Sequence, residues 1–157
     1  MPTYRRRTRV RAPFEEVWEF HSGTDGLEAL TPAFMHLSVD TVLGPDDERD
    51  PDVLEAGSRA YMSLRPFGVG PRQRWVSVIT EREVGDGAAY FRDEMHEGPF
   101  PSWEHTHSFY ADGDETVVED SVEYELPVVG SVGPLGDLGF EPMFRYRHRK
   151  TRELLEK

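Results

Sequence analysis

The chain predicts an α+β domain, a curved seven-stranded antiparallel sheet wrapped around one long C-terminal helix, in the order β-α-α-β6-α. Three observations carry this expectation. Tyr90 to Pro127 holds three alternating stretches separated by turn residues. Helical spacing follows an N-terminal strand-like stretch, and the chain ends in a second helical stripe.

Thr3 to Arg11 alternates weakly and carries no helix breaker, so it suits a first strand; its arginines suit an edge. Pro13 fits the first turn of a helix, where its missing N–H costs nothing. Phe14, Val17, Trp18 and His21 then recur on one face, with Glu15, Glu16 and Glu19 between them. Thr24 to Leu30 reads as a second short helix, capped by Thr24 and ended by Pro32. A strand over His36–Leu43, an acidic loop over Gly44–Gly57, and strands over Ser58–Pro66 and Gln73–Val84 come next. Gly85-Asp86-Gly87, Gly98-Pro99-Phe100-Pro101 and Asp112-Gly113-Asp114 then turn the chain through a meander of three strands. The glycine-rich stretch Val128–Gly139 should loosen the chain before the last helix. There Phe140, Phe144, His148, Thr151 and Leu155 share one stripe, with Pro142 in the first turn or, if the helix starts earlier, at a kink. A helix held off the concave side of such a sheet leaves an internal cavity, the usual form of a small-molecule site.

The 157 residues make a single domain, 1–157, with no visible signal peptide and no apolar run of membrane-spanning length. Without cysteine there is no disulfide framework and no thiolate nucleophile or ligand. A cytoplasmic location is the expectation. Thirty acidic residues face eighteen basic ones, and only Lys150 and Lys157 are lysines. That balance suits a surface adapted to high salt and argues against a nucleic-acid partner. Arginines cluster near both termini. Paired with neighbouring carboxylates they are ordinary surface; left free, they would form a basic interaction patch.

Within the meander, Trp103, His105, His107 and Phe109 share one face of a strand, and Glu104, Thr106 and Ser108 the other. Asp93 on the preceding strand can pair with one of the histidines, and a carboxylate there raises the imidazole pKa as acid–base chemistry needs. His105 and Asp93 are therefore the catalytic candidates. Without turnover, the same side chains line a partly polar pocket. On the third strand, Val118, Val122, Tyr124 and Leu126 alternate with acidic and hydroxyl residues, and Asp120 falls in the apolar set. Buried there it needs a partner, and His105 is one choice; a strand distortion turning it to water is the other. His148 lies on the apolar stripe of the last helix, where a bond to a backbone carbonyl is the simpler reading. Tyr146 and Arg147 beside it suit pairing with sheet carboxylates. Two histidines with Asp93 or Asp120 could supply three metal ligands, but no fourth has recognised spacing, so no metal and no cofactor is expected.

The segments FRDEMHEGPFPSWEHTHSF, VEYELP and MFRYRHRKTRELL resemble the START/birch-pollen-allergen-like (SRPBCC) superfamily, in its prokaryotic polyketide cyclase/dehydrase-like branch. The resemblance implies the helix-grip fold and a cavity for a small apolar or amphipathic ligand, lipid-, isoprenoid- or polyketide-like. It also implies that Phe91, Asp93, Trp103, His105, His107, Phe109, Tyr124, Phe144 and His148 face that ligand, and Asp120 joins them from the alternation above. A cyclase or dehydratase working through a histidine–carboxylate pair is the alternative. Monomer and homodimer are both compatible with the sequence.

Overall fold

A computed structural model of the protein describes residues 3–98, 100–125 and 133–156. The elements are β1 (Thr3–Val10), α1 (Phe14–His21), α2 (Thr24–Leu30), β2 (Ser38–Leu43), β3 (Arg59–Leu64), β4 (Gln73–Gly85), β5 (Ala88–Glu97), β6 (Ser102–Asp112), β7 (Glu115–Glu125) and α3 (Gly133–Leu155). Single 3-10 turns stand at Ala33–Met35 and Pro66–Gly68. The seven strands form one antiparallel sheet in the order β1-β7-β6-β5-β4-β3-β2. Strands β2 to β7 are therefore successive hairpins, and only the β1–β7 pairing joins distant parts of the chain.

Turn chemistry sets the hairpins. Gly113 has φ 62° between the paired residues Asp112 and Glu115, a conformation open to glycine without a Cβ clash. The resulting register places Trp103 opposite Tyr124, His107 opposite Asp120 and Asp93 opposite His105. Along β6 every second residue from Trp103 to Phe109 is buried, as the alternation predicts.

Several boundaries differ from the sequence reading, most by one or two residues at strand ends. Pro13 is the N-cap of α1 and not its first turn, and Gly23, not Thr24, caps α2. The larger difference is α3, which already begins at Gly133, so Pro142 lies inside it. Glycines there would by themselves disfavour a helix, and α3 as a whole packs against α2 and β1. The remainder of the stretch expected to be loose, Val128–Val132, falls outside the described residues.

The core divides in two. Phe14, Val17 and Trp18 of α1 pack on Ile79, Phe91, Phe109 and Val118 of the sheet. Tyr4, Trp103, Val122 and Tyr124 pack on Phe140 and Phe144 of α3. Tyr4 also ties β1 to α3, its hydroxyl donating to Glu141 Oε2 at 2.6 Å, while Arg6 reaches Glu141 Oε1 at 2.5 Å. The other N-terminal arginines likewise find carboxylates: Arg5 and Arg7 meet Glu119, Arg9 meets Asp112 and Glu115, and Arg11 meets Glu156. The expected pairing thus occupies the N-terminal arginines.

His21 closes the first core cluster. Its Nδ1–H donates to the Val17 carbonyl at 2.8 Å, and its ring lies 4.8 Å from that of Phe109. Burial, only partly offset by that hydrogen bond, pushes its pKa down to about 3. The folded state thus keeps His21 neutral where the unfolded state protonates it. Its contribution is complete above an unfolded pKa of about 6.5 and declines as pH falls toward 3. Between pH 7 and about 4.5 this single group should cost about 2–3 kcal/mol of stability. Urea unfolding of wild type and His21→Gln at both pH values checks this, because the variant should lose that much less.

Candidate functional site

Between the two apolar clusters lies a buried ionisable layer. Strand β5 supplies Asp93, β6 supplies His105 and His107, β7 supplies Asp120, and α3 supplies His148; none is more than 9% exposed. Alternation aims the four sheet residues at the concave face, and the α3 stripe brings His148 down onto them. Phe91 stacks on His107 with ring centroids 4.0 Å apart, His107 stacks on His105 at 3.6 Å, and Phe144 meets His105 edge-on at 5.3 Å.

Asp120 is the hub. Its Oδ1 accepts from His105 Nε2–H at 2.7 Å and its Oδ2 from His148 Nε2–H at 2.6 Å. A carboxylate offers only acceptors, so each histidine must carry its proton on Nε2 when neutral. His107 Nε2 bonds Asp93 Oδ2 at 2.8 Å, and the Ser77 hydroxyl donates to Asp93 Oδ1 at 3.2 Å. His107 Nδ1 stands 3.3 Å from Asp120 Oδ1 but makes no hydrogen bond, and His148 Nδ1 is likewise buried and unpartnered.

Charge follows from this geometry. Burial works against ionised Asp120, but hydrogen bonds from His105 and His148, with the His107 ring beside them, outweigh it and hold the carboxyl well below the usual range. Burial also opposes ionised Asp93, yet its bond from His107 and the nearby imidazoles keep it lowered. The two stacked imidazoles move in opposite directions. His105 is lowered by burial and then by repulsion from His107. For His107 burial also favours the neutral ring, but Asp120 and Asp93 overcome it and raise the pKa.

The structure thus brings Asp93, His105, His107, Asp120 and His148 into one network, with Phe91, Trp103 and Phe144 against its histidines, Tyr124 on Phe140 in the second cluster, and Phe109 further along the same face of β6 in the α1 cluster. His148 bonds a side-chain carboxylate where the sequence suggested a backbone carbonyl, because β7 carries Asp120 directly beneath α3. Tyr146 and Arg147 take neither of the pairings suggested for them among the described residues. Tyr146 packs under the Arg149 guanidinium, and Arg147 Nε is buried without a partner. Ser77 was missed. It alternates with Trp75 and Ile79 along β4, and that spacing alone would have placed it on the concave face. Aromatic side chains of the second cluster meet between sheet and α3: Tyr4 stacks on Phe144 at 5.1 Å, and Tyr124 and Trp103 meet Phe140 at 4.7 and 5.3 Å. A groove outside it, lined by Thr41, Tyr61, Ser63, Arg72 and Arg74, runs along the β2–β4 end of the sheet.

Known structures share this architecture. A protein from Thermus thermophilus superposes with a TM-score of 0.59 at 21% identity, over 96% of this chain and 97% of its own. A START superfamily protein from Mycobacterium smegmatis gives 0.65 at 13% identity, over 99% and 97%. Truncated norcoclaurine synthase from Thalictrum flavum gives 0.62 at 16% identity, over 97% and 91%. At these identities the likeness concerns the fold. Among curated proteins no match to the chain is found, and no helix among the described residues is long and apolar enough to cross a membrane. The family described as polyketide cyclase / dehydrase and lipid transport matches residues 10–146, nearly the whole sheet and most of α3, and the chain belongs to that family.

Proposed function

We propose that the protein binds a small apolar or amphipathic ligand, lipid-, isoprenoid- or polyketide-like, between the sheet and α3, with the buried ionisable layer as its polar anchor. One observation carries this reading. Five ionisable side chains occupy an interior where apolar residues of similar volume would cost less desolvation. Groups of this kind, perturbed and flanked by aromatic walls, mark binding and catalytic sites. Family membership supports the same reading. The acidic, lysine-poor surface fits a protein working in high salt, where screening weakens self-repulsion.

The test is native mass spectrometry of protein purified in high salt, with organic extraction of bound material, followed by titration with fatty acids, isoprenoid alcohols and aromatic polyketides. Trp103 faces the site, so quenching present in wild type and reduced in Trp103→Phe reports occupancy there. A protein that purifies empty and quenches with no class of ligand overturns the proposal.

One observation favours a second reading, acid–base chemistry of the cyclase or dehydratase type. Stacked His105 and His107 are pushed apart in pKa, giving a neutral imidazole to take a proton beside a carbonyl and a cationic one to return it. Deuterium uptake next to the carbonyl of a bound ketone, lost in His105→Gln, would support it. Uptake unchanged in that variant removes His105 as the base.

A further inference from the structure

Three atoms of the buried layer are arranged for something other than an organic ligand. One carboxylate oxygen of Asp93, one nitrogen of His105 and one of His107 all lie within 4.8 Å of one another. His107 Nε2 is 2.8 Å and His105 Nδ1 4.0 Å from Asp93 Oδ2. Ligands bound to one ion at about 2.0–2.2 Å stand roughly 3–3.5 Å apart. An ion between these atoms needs the first pair to part slightly, His105 to move inward, and the stacked His105 and His107 rings to turn until both ring planes contain it.

The protons agree with this placement. His105 donates its Nε2–H to Asp120, so a neutral ring leaves the Nδ1 lone pair on the Asp93 side. His107 Nδ1 is buried without a hydrogen bond, 3.3 Å from Asp120 Oδ1. An ion on Nε2 would fix the ring proton on Nδ1, where that carboxylate can accept it. Both imidazoles would then be held from behind by one carboxylate, the outer-shell arrangement that orients metal-binding histidines. Two buried carboxylates also supply the charge that a dication balances.

We propose that Asp93, His105 and His107 bind a divalent first-row transition ion through Asp93 Oδ2, His105 Nδ1 and His107 Nε2, with Asp120 as the positioning residue behind both rings. Two imidazoles and one carboxylate suit zinc or ferrous iron, and three protein ligands leave a coordination position open for an outside oxygen. The absence of a fourth ligand with recognised spacing, which argues against a closed structural site, is what an open site requires. This inference is independent of the organic-ligand reading and stands if no lipid or polyketide binds.

The test uses full-length protein stripped with EDTA and titrated with zinc and with cobalt. One equivalent of each should bind, cobalt should show visible ligand-field bands of a four- or five-coordinate ion, and zinc should shift the imidazole nitrogen resonances of His105 and His107. Asp93→Asn and His107→Gln should abolish binding, and Asp120→Asn should weaken it about 10–100-fold. His96→Ala, at an exposed histidine beside Glu94, should change nothing and so controls for surface binding. The cobalt spectrum and ring resonances of wild type decide the matter even if a variant fails to fold. Wild type that binds neither ion at millimolar concentration overturns the proposal, as does affinity that survives in folded Asp93→Asn and His107→Gln.

Discussion

Replacing Asp120 with alanine should lower folding stability by about 3–5 kcal/mol, as removal of one partner from a buried ionic network does. Asp120 is 3% exposed and accepts hydrogen bonds from both His105 and His148. Its loss strands two buried N–H donors from different elements and takes the counter-charge from His107. Against a total stability of about 5–15 kcal/mol, the change threatens folding itself. Asp120→Asn should fall between, since its carbonyl can serve one histidine while its amide opposes the other. Asp112 makes a useful contrast. Its contact with Arg9 is 2.5 Å, shorter than either Asp120 bond, yet both side chains are more than half exposed. Asp112→Ala should change stability by no more than about 1 kcal/mol. Urea unfolding of the three variants measures the difference, and similar losses for Asp120→Ala and Asp112→Ala would contradict the claim that burial governs it.

Phe144→Ala should cost about 3–5 kcal/mol, the range for emptying a fully buried aromatic site. Phe144 is completely buried and joins three parts of the molecule: it stacks on Tyr4 of β1, meets His105 of β6 edge-on and touches Phe140 along α3. Truncation removes these contacts together and leaves a gap between helix and sheet. Apolar walls line most of that gap, so it should accept a small aromatic molecule such as benzene. Denaturation gives the stability change. A rise in melting temperature with benzene, in the variant and not in wild type, checks the second part. If the variant loses less than about 1 kcal/mol, α3 relaxes onto the sheet and the site is softer than its packing implies.

Much of this arrangement is legible in the chain, and what is not has a physical cause. Period-2 alternation from Trp103 to Phe109 identifies the buried face of β6, and an aspartate among Val118, Val122 and Tyr124 announces a buried carboxylate in need of a partner. Helical spacing places His148 on the inner stripe of α3. It does not supply the partner, because local pattern carries no information on which residue of a strand lies beneath a helix. For the same reason the pattern ties Asp93 to the β6 histidines without deciding between them. Register sets it opposite His105, yet its short bond goes to His107, since side-chain reach rather than Cα pairing determines the contact. The start of α3 departs from expectation because glycine content speaks against a helix there.

The edge formed by β1 has a consequence for assembly. Among the described residues no strand pairs with its outer edge, and Arg5, Arg7 and Arg9 alternate along it. A second copy adding there in antiparallel fashion about Arg7 would set Arg7 against Arg7 and Arg5 against Arg9, so cations would face cations along the seam. Each arginine already has its carboxylates within its own subunit and nothing further to gain from a copy. The sheet is thereby discouraged from continuing into a neighbour on this side.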